Sequence, residues 1–172
     1  MTIMETIEKL GNIGKDVRQK QQELTIFEVA NLWHLLTARY DAYETNSILT
    51  NFADAIDLKT ILNKGHSTLQ KQIVELEKLI ENYGIVMPPK PPESTSNTNV
   101  VQAINDRYIY RQVLMGIQGF MQIHLTGFLE SMSPGIRELF RRYLQEEMAM
   151  YDNLLEYGKM KGYVDNFPVF RP

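Results

Sequence analysis

The chain contains no cysteine, which excludes disulfide bonds, thiolate metal sites and cysteine nucleophiles. It has no run of about 18 apolar residues, the length that a membrane-spanning helix needs. Its first residues, MTIMETIEKLGNIGKDV, lack the basic start and unbroken apolar stretch of a secretory signal. A basic surplus is absent too: 18 Lys and Arg stand against 21 Asp and Glu, so nucleic acid is not an expected partner. Glycine-rich phosphate loops, a nucleophile elbow and a His-Glu-x-x-His zinc motif are all missing. The expectation is a protein made in the cytoplasm, with no membrane and no nucleic acid among its partners.

What remains is a chain of 172 residues, 44% hydrophobic and 23% charged, enough for one domain with a full core. Thr25 followed by Glu28 is a capping-box signature, and the apolar positions Ile26, Val29, Trp33, Leu36, Tyr40, Ser47 and Ile48 then predict a helix to about Phe52. A second helix is expected from about Asp57, with Leu58, Leu62, Leu69, Ile73, Leu76 and Ile80 on one face, ending at Tyr83-Gly84. The stretch VMPPKPPESTSNTN cannot be helix or strand and reads as a surface connection. A third helix is expected from Asp106 to Ser131; its three glycines, Gly116, Gly119 and Gly127, predict close approach to a neighbour. Ser133-Pro134 supplies an N-cap and a first-turn proline for a fourth helix ending near Gly162.

The two halves echo one another at an offset of 78: Leu58-Lys59 aligns with Ile136-Arg137, Ile61 with Leu139, Leu76 with Leu154, and Gly84 with Gly162. Two helical hairpins joined by a long Pro-rich crossover describe an all-α, ferritin-like four-helix bundle. The expected layout is an N-terminal segment over 1–24 with a short extra helix, the bundle over 25–165 with its crossover at about 84–105, and a tail over 166–172 that lies against the bundle or a neighbour.

Bundles of this type that carry two metals need a Glu on each of two helices and Glu-x-x-His on the other two. Glu44 and Glu147 fall on the expected inner stripes, but the equivalent positions hold Gln122 and Leu69, and Gln72 and Met150 stand where histidines are required. The candidate metal ligands reduce to Glu44, His66 and Glu147, and the expectation is no metal and no cofactor. A buried polar cluster of Tyr40, Glu44, Gln122, Glu147 and Tyr151 is expected instead, its carboxylates satisfied by hydrogen bonds. His34 and His124 read as packing or surface residues. Tyr40, Tyr43, Tyr143 and Tyr151 fall on or beside the inner stripes, where their hydroxyls can satisfy Glu44 and Glu147; a second, sharper reading takes Tyr108, Tyr110, Tyr157 and Tyr163 as exposed rings suited to cross-linking or partner contact.

The stretch LESMSPGIRELFRRYLQEEMAMYDNLLEYGKMKGYV resembles the spore coat protein F family of endospore-forming bacteria. Ile136-Arg137, Gln145-Glu146-Glu147 and Gly162-Tyr163 match its pattern, whereas Tyr151 stands where that family usually has histidine. The first hairpin, ending ENYGIVMPPKPP, is similar to a related uncharacterised group from the same bacteria. The resemblance implies a ferritin-like bundle without catalysis, associated with the spore coat. The expectation is accordingly a non-enzymatic structural or interaction protein that forms a homo-oligomer or binds other coat proteins. The alternative is a degenerate metal-binding or oxidoreductase bundle, and a third possibility is a ligand-binding module with an apolar pocket near the three glycines of the third helix.

Overall fold

The computed structural model describes residues 14–91 and 104–164. Every regular element among them is a helix: α1 (Val17–Gln21), α2 (Ile26–Phe52), α3 (Ile56–Asn82), α4 (Asp106–Glu130) and α5 (Pro134–Lys161). The four long helices form the expected bundle of two hairpins, α2–α3 and α4–α5. The N-terminal residues up to 13, the crossover segment from 92 to 103 and the tail from 165 lie outside the described residues, so the expected docking of the tail does too.

The ends of the helices follow from local chemistry. At the start of α2 the capping box is complete: the Glu28 backbone N–H donates to Thr25 Oγ1 at 3.2 Å, and the Thr25 N–H to Glu28 Oε2 at 2.8 Å. Pro134 opens α5 as expected, but Ser133 makes no capping bond with its side chain. α3 and α5 end alike. Gly84 and Gly162, 78 positions apart, both take positive φ, and the next N–H reaches back to Ile80 and Gly158 respectively. Gly84 is doubly constrained, since a Cβ there would meet Val17 Cγ1 of α1 at 2.5 Å. The short α1 thus sits on the end of α3, where Lys20 Nζ also donates to Asn82 Oδ1 at 2.7 Å.

Two carboxylates set how the hairpins sit. Glu28 on α2 accepts the Ser133 N–H of the second turn through Oε1 at 2.6 Å. Asp106 on α4 accepts the Asp54 and Ala55 N–H groups of the first turn at 2.8 and 3.0 Å. Glu28 and Asp106 are 78 apart, as are Ala55 and Ser133, so each hairpin's first helix holds the other's turn. These contacts make α2 and α4 antiparallel. They also put the start of α4 at the opposite end of the bundle from the end of α3, so the crossover must travel its full length.

α2 packs closely on α3, α4 on α5 and α2 on α4, while α3 and α5 stand further apart. Polar side chains bridge that gap: Arg142 Nη2 and Tyr143 Oη donate to Glu75 at 2.5 and 2.8 Å, and Gln72 Nε2 donates to Glu146 Oε2 at 2.8 Å.

The inner stripe of α2 needs correction. Ile26, Trp33 and Ile48 are exposed, and the buried line runs Glu28, Leu32, Leu35, Leu36, Arg39 and on to Asn46 and Leu49. α2 is apolar on several sides, so its stripe was underdetermined, and polar residues occupy part of the true inner face. Of the α4 glycines only Gly127 meets a neighbour, the Phe140 ring; a Cβ at Gly116 or Gly119 would find nothing within 4 Å.

A buried ion cluster beside a cavity

At mid-height α2 turns Arg39 into the core, 1% exposed, although guanidinium groups are seldom buried without a partner. Its partner is Glu147 of α5, also 1% exposed. Arg39 Nη2 donates to Glu147 Oε1 at 2.7 Å and to His124 Nε2 of α4 at 2.8 Å. Arginine has no acceptor, so Nε2 of His124 must accept. That fixes the neutral tautomer with its proton on Nδ1. Burial pushes the His124 pKa below its ordinary value, outweighing the opposing pull of Glu147 3.7 Å away. Flat rings enclose the guanidinium: the Phe120 centroid is 3.9 Å from Arg39 Cζ, and Tyr143 is 5.8 Å away. His124 in turn lies 5.6 Å from the Tyr143 ring.

The expected polar cluster is therefore rebuilt around different residues. Glu147 is buried as expected. Tyr40 is buried as well, but its hydroxyl donates to Glu77 Oε1 at 2.7 Å. Glu44 is only half-buried, beside a lateral groove with Tyr40, Glu77 and Lys90. Gln122 is exposed and Tyr151 half-buried. The physical reason is the corrected α2 stripe: with Arg39 and Asn46 inward, Glu44 points sideways. His66 lies against the Tyr43 ring, centroids 4.0 Å apart, and its Nδ1 is 3.4 Å from Ser47 Oγ. Among the described residues no group of three His, Cys, Asp or Glu is arranged to hold a metal. Glu44, His66 and Glu147 do not form one.

Sequence reasoning missed Arg39 and His124. One usable signal existed: Glu147 needed a compensating charge, and Arg39 is the one basic residue in the inner half of α2. Two of the tyrosines read as exposed are also corrected. Tyr110 and Tyr157 are buried, because Gly158 lets the Tyr110 ring pass where a Cβ would lie 2.1 Å from its hydroxyl. Tyr163 leans on both rings at 5.6 and 6.3 Å, and Tyr108 alone of the four is exposed.

Next to the ion cluster lies a cavity of about 270 Å³. Its walls are mostly apolar, with Leu49, Leu69, Val113, Ile117 and Met150 prominent, and Arg39, Gln72 and Glu147 also reach it. The lining residues Asp41, Thr45 and Gly116 are exposed, so the cavity opens between α2 and α4. Four positions required by a carboxylate metal site, 69, 72, 147 and 150, do converge on this cavity; in this chain they hold Leu, Gln, Glu and Met.

Solved structures share this architecture. A protein provisionally assigned as a spore coat protein of Bacillus halodurans superposes with a TM-score of 0.82 at 20% identity, covering 89% of this chain and 99% of that one. A conserved hypothetical protein from Mycobacterium tuberculosis matches at 0.67 and 9% identity, over 78% of this chain and 99% of that one. A DUF305 fragment from Deinococcus radiodurans matches at 0.63 and 16% identity, over 79% and 97%. At these identities the likeness is one of fold. No curated protein matches. The sequence profile that does match is an uncharacterised family's rather than that of spore coat protein F. It spans residues 12–171, and the chain belongs to this family, described as a protein of unknown function, DUF3231.

Proposed function

We propose that this chain is a non-enzymatic structural or interaction protein of the spore-coat kind, a ferritin-like bundle that assembles with copies of itself or with other coat proteins. The observation that carries this reading is the fold shared along nearly the whole length of the Bacillus halodurans protein. The core chemistry is in keeping with it. The buried Glu147 accepts from Arg39 and the half-buried Glu75 from Arg142 and Tyr143, so both carboxylates are already engaged in holding helices together.

Assembly needs a sticky surface, and one end of the bundle supplies it. Ile26 and Phe27 at the start of α2 are 79% and 60% exposed, while Leu129 and Met132 at the end of α4 are 67% and 69% exposed. The Glu28 bond to Ser133 and the Asn31 bond to Glu130 bring these segments together. Clustered apolar exposure of this kind marks contact surfaces.

Sedimentation equilibrium of the purified protein, beside a Phe27→Ser, Met132→Ser double variant, tests assembly. A dimer or larger species is expected, reduced to monomer in the variant. Fractionation of sporulating cells tests the compartment, and the protein is expected in the detergent-resistant coat layer. A monomer confined to the soluble fraction overturns the proposal.

A further inference from the structure

The cavity beside the ion cluster has a structural cause that the internal repeat exposes. Around Arg39 the space is filled by Phe120, His124 and Tyr143. The residues 78 positions earlier are Ala42, Asn46 and Gly65, and all three line the cavity. Where one half of the molecule carries two aromatic rings and an imidazole, the other carries a methyl group, a small amide and a bare backbone. The missing volume is the cavity.

Its size and polarity limit what it can take. A cavity of about 150 Å³ lined by aliphatic side chains and phenylalanine is enough for benzene. At about 270 Å³, this one has room for a ring with a short chain, or a chain of comparable volume. Arg39 and Gln72 border it from nearly full burial, 1% and 3% exposed, so the wall offers a ligand little polar surface and favours an apolar body. Charge narrows the choice further. Arg39 and Glu147 cancel, His124 is neutral, and Asp41 stands at the mouth, so a carboxylate ligand meets no uncompensated cation and one repelling anion.

We propose that this cavity is a binding site for a small, uncharged, largely apolar molecule, entering between α2 and α4 past Gly116. The site is independent of the assembly surface and of any role in a coat.

The test exploits the glycine at the mouth. A leucine at position 116 projects into open space at the cavity rim, and replacing a helical glycine favours folding. Loss of binding in Gly116→Leu therefore does not reflect misfolding. Gly119→Leu, on the same helix, equally unobstructed and outside the cavity lining, is the matched control. The probes are 4-propylphenol and 1-octanol, with sodium octanoate as the charged comparison, titrated calorimetrically into the full chain. Saturable binding of the two alcohols is expected, weakened about tenfold or more in Gly116→Leu and changed less than about twofold in Gly119→Leu. Octanoate is expected to bind about tenfold more weakly than octanol. Absence of saturable binding to the wild-type chain, or equal affinity in Gly116→Leu, overturns the site. Octanoate binding as tightly as octanol overturns the uncharged class.

Discussion

The two hairpins solve the same packing problem at three levels, and only at one of them do they leave a gap. Leu49 and Leu62 in the first hairpin correspond, 78 positions on, to Gly127 and Phe140 in the second. One side chain shrinks as its partner grows, and the Phe140 ring fills the place of a Cβ at Gly127. Leu32 and Ile80 likewise become Tyr110 and Gly158, again large against small. In the middle, Ala42 and Gly65 become Phe120 and Tyr143, and both positions grow together. Two levels are compensated within each half. The third is not: one half of it holds an ion cluster wrapped in rings, and the other stays partly empty. Interiors are otherwise close-packed, so the uncompensated level is the place where function or specificity is to be sought.

The comparison can be broken most forcefully on the filled side. Arg39→Ala leaves Glu147 and His124 buried without their donor, and an expected loss of about 3–5 kcal/mol in denaturant unfolding measures how much rests on that pair. The paired change Arg39→Met, Glu147→Leu removes both charges and is expected to recover most of that loss; a double variant as unstable as the single would show that the aromatic cage, not the charge, is what matters.

A compensated level is next. Gly158→Ala drives a methyl group into the Tyr110 ring, and an expected cost of about 1–3 kcal/mol, read from the thermal or urea midpoint, tests that fit. Unchanged stability would mean that the ring moves aside freely.

The smallest effect has the opposite sign. Gly65→Ala on the empty side meets only Asn46 Oδ1, at 3.8 Å, and is expected to stabilise by about 0.4–1 kcal/mol through the unfolded chain. The same substitution thus destabilises on one side of the repeat and stabilises on the other. A destabilised Gly65→Ala would mean that the level is already full.

Much of this molecule was legible in the sequence, for reasons specific to its elements. The long helices announce themselves through Thr25 and Glu28, Gly84, Pro134 and Gly162, because caps and stops are local chemistry. The hairpin pairing followed from the repeat. Which face of α2 turns inward did not. Its apolar residues surround the helix, and the choice is decided by Arg39, a charge that periodicity counts as solvent-facing. That single rotation takes Glu44 out of the core and brings Arg39 in, against His124. Long-range pairs such as Arg39 with Glu147, 108 residues apart, are not encoded in any local pattern. A pocket near the α4 glycines was within reach, and Gly116 does line the cavity, but its cause emerges only as a difference between two aligned halves.

The reciprocal hold of Glu28 on Ser133 and of Asp106 on Asp54 and Ala55 has a consequence for cooperativity. Neither turn can open without releasing the first helix of the opposite hairpin, so the halves are coupled into one unfolding unit rather than two independent foldons. The same geometry means that each hairpin sets the register of the other through its own turn and first helix.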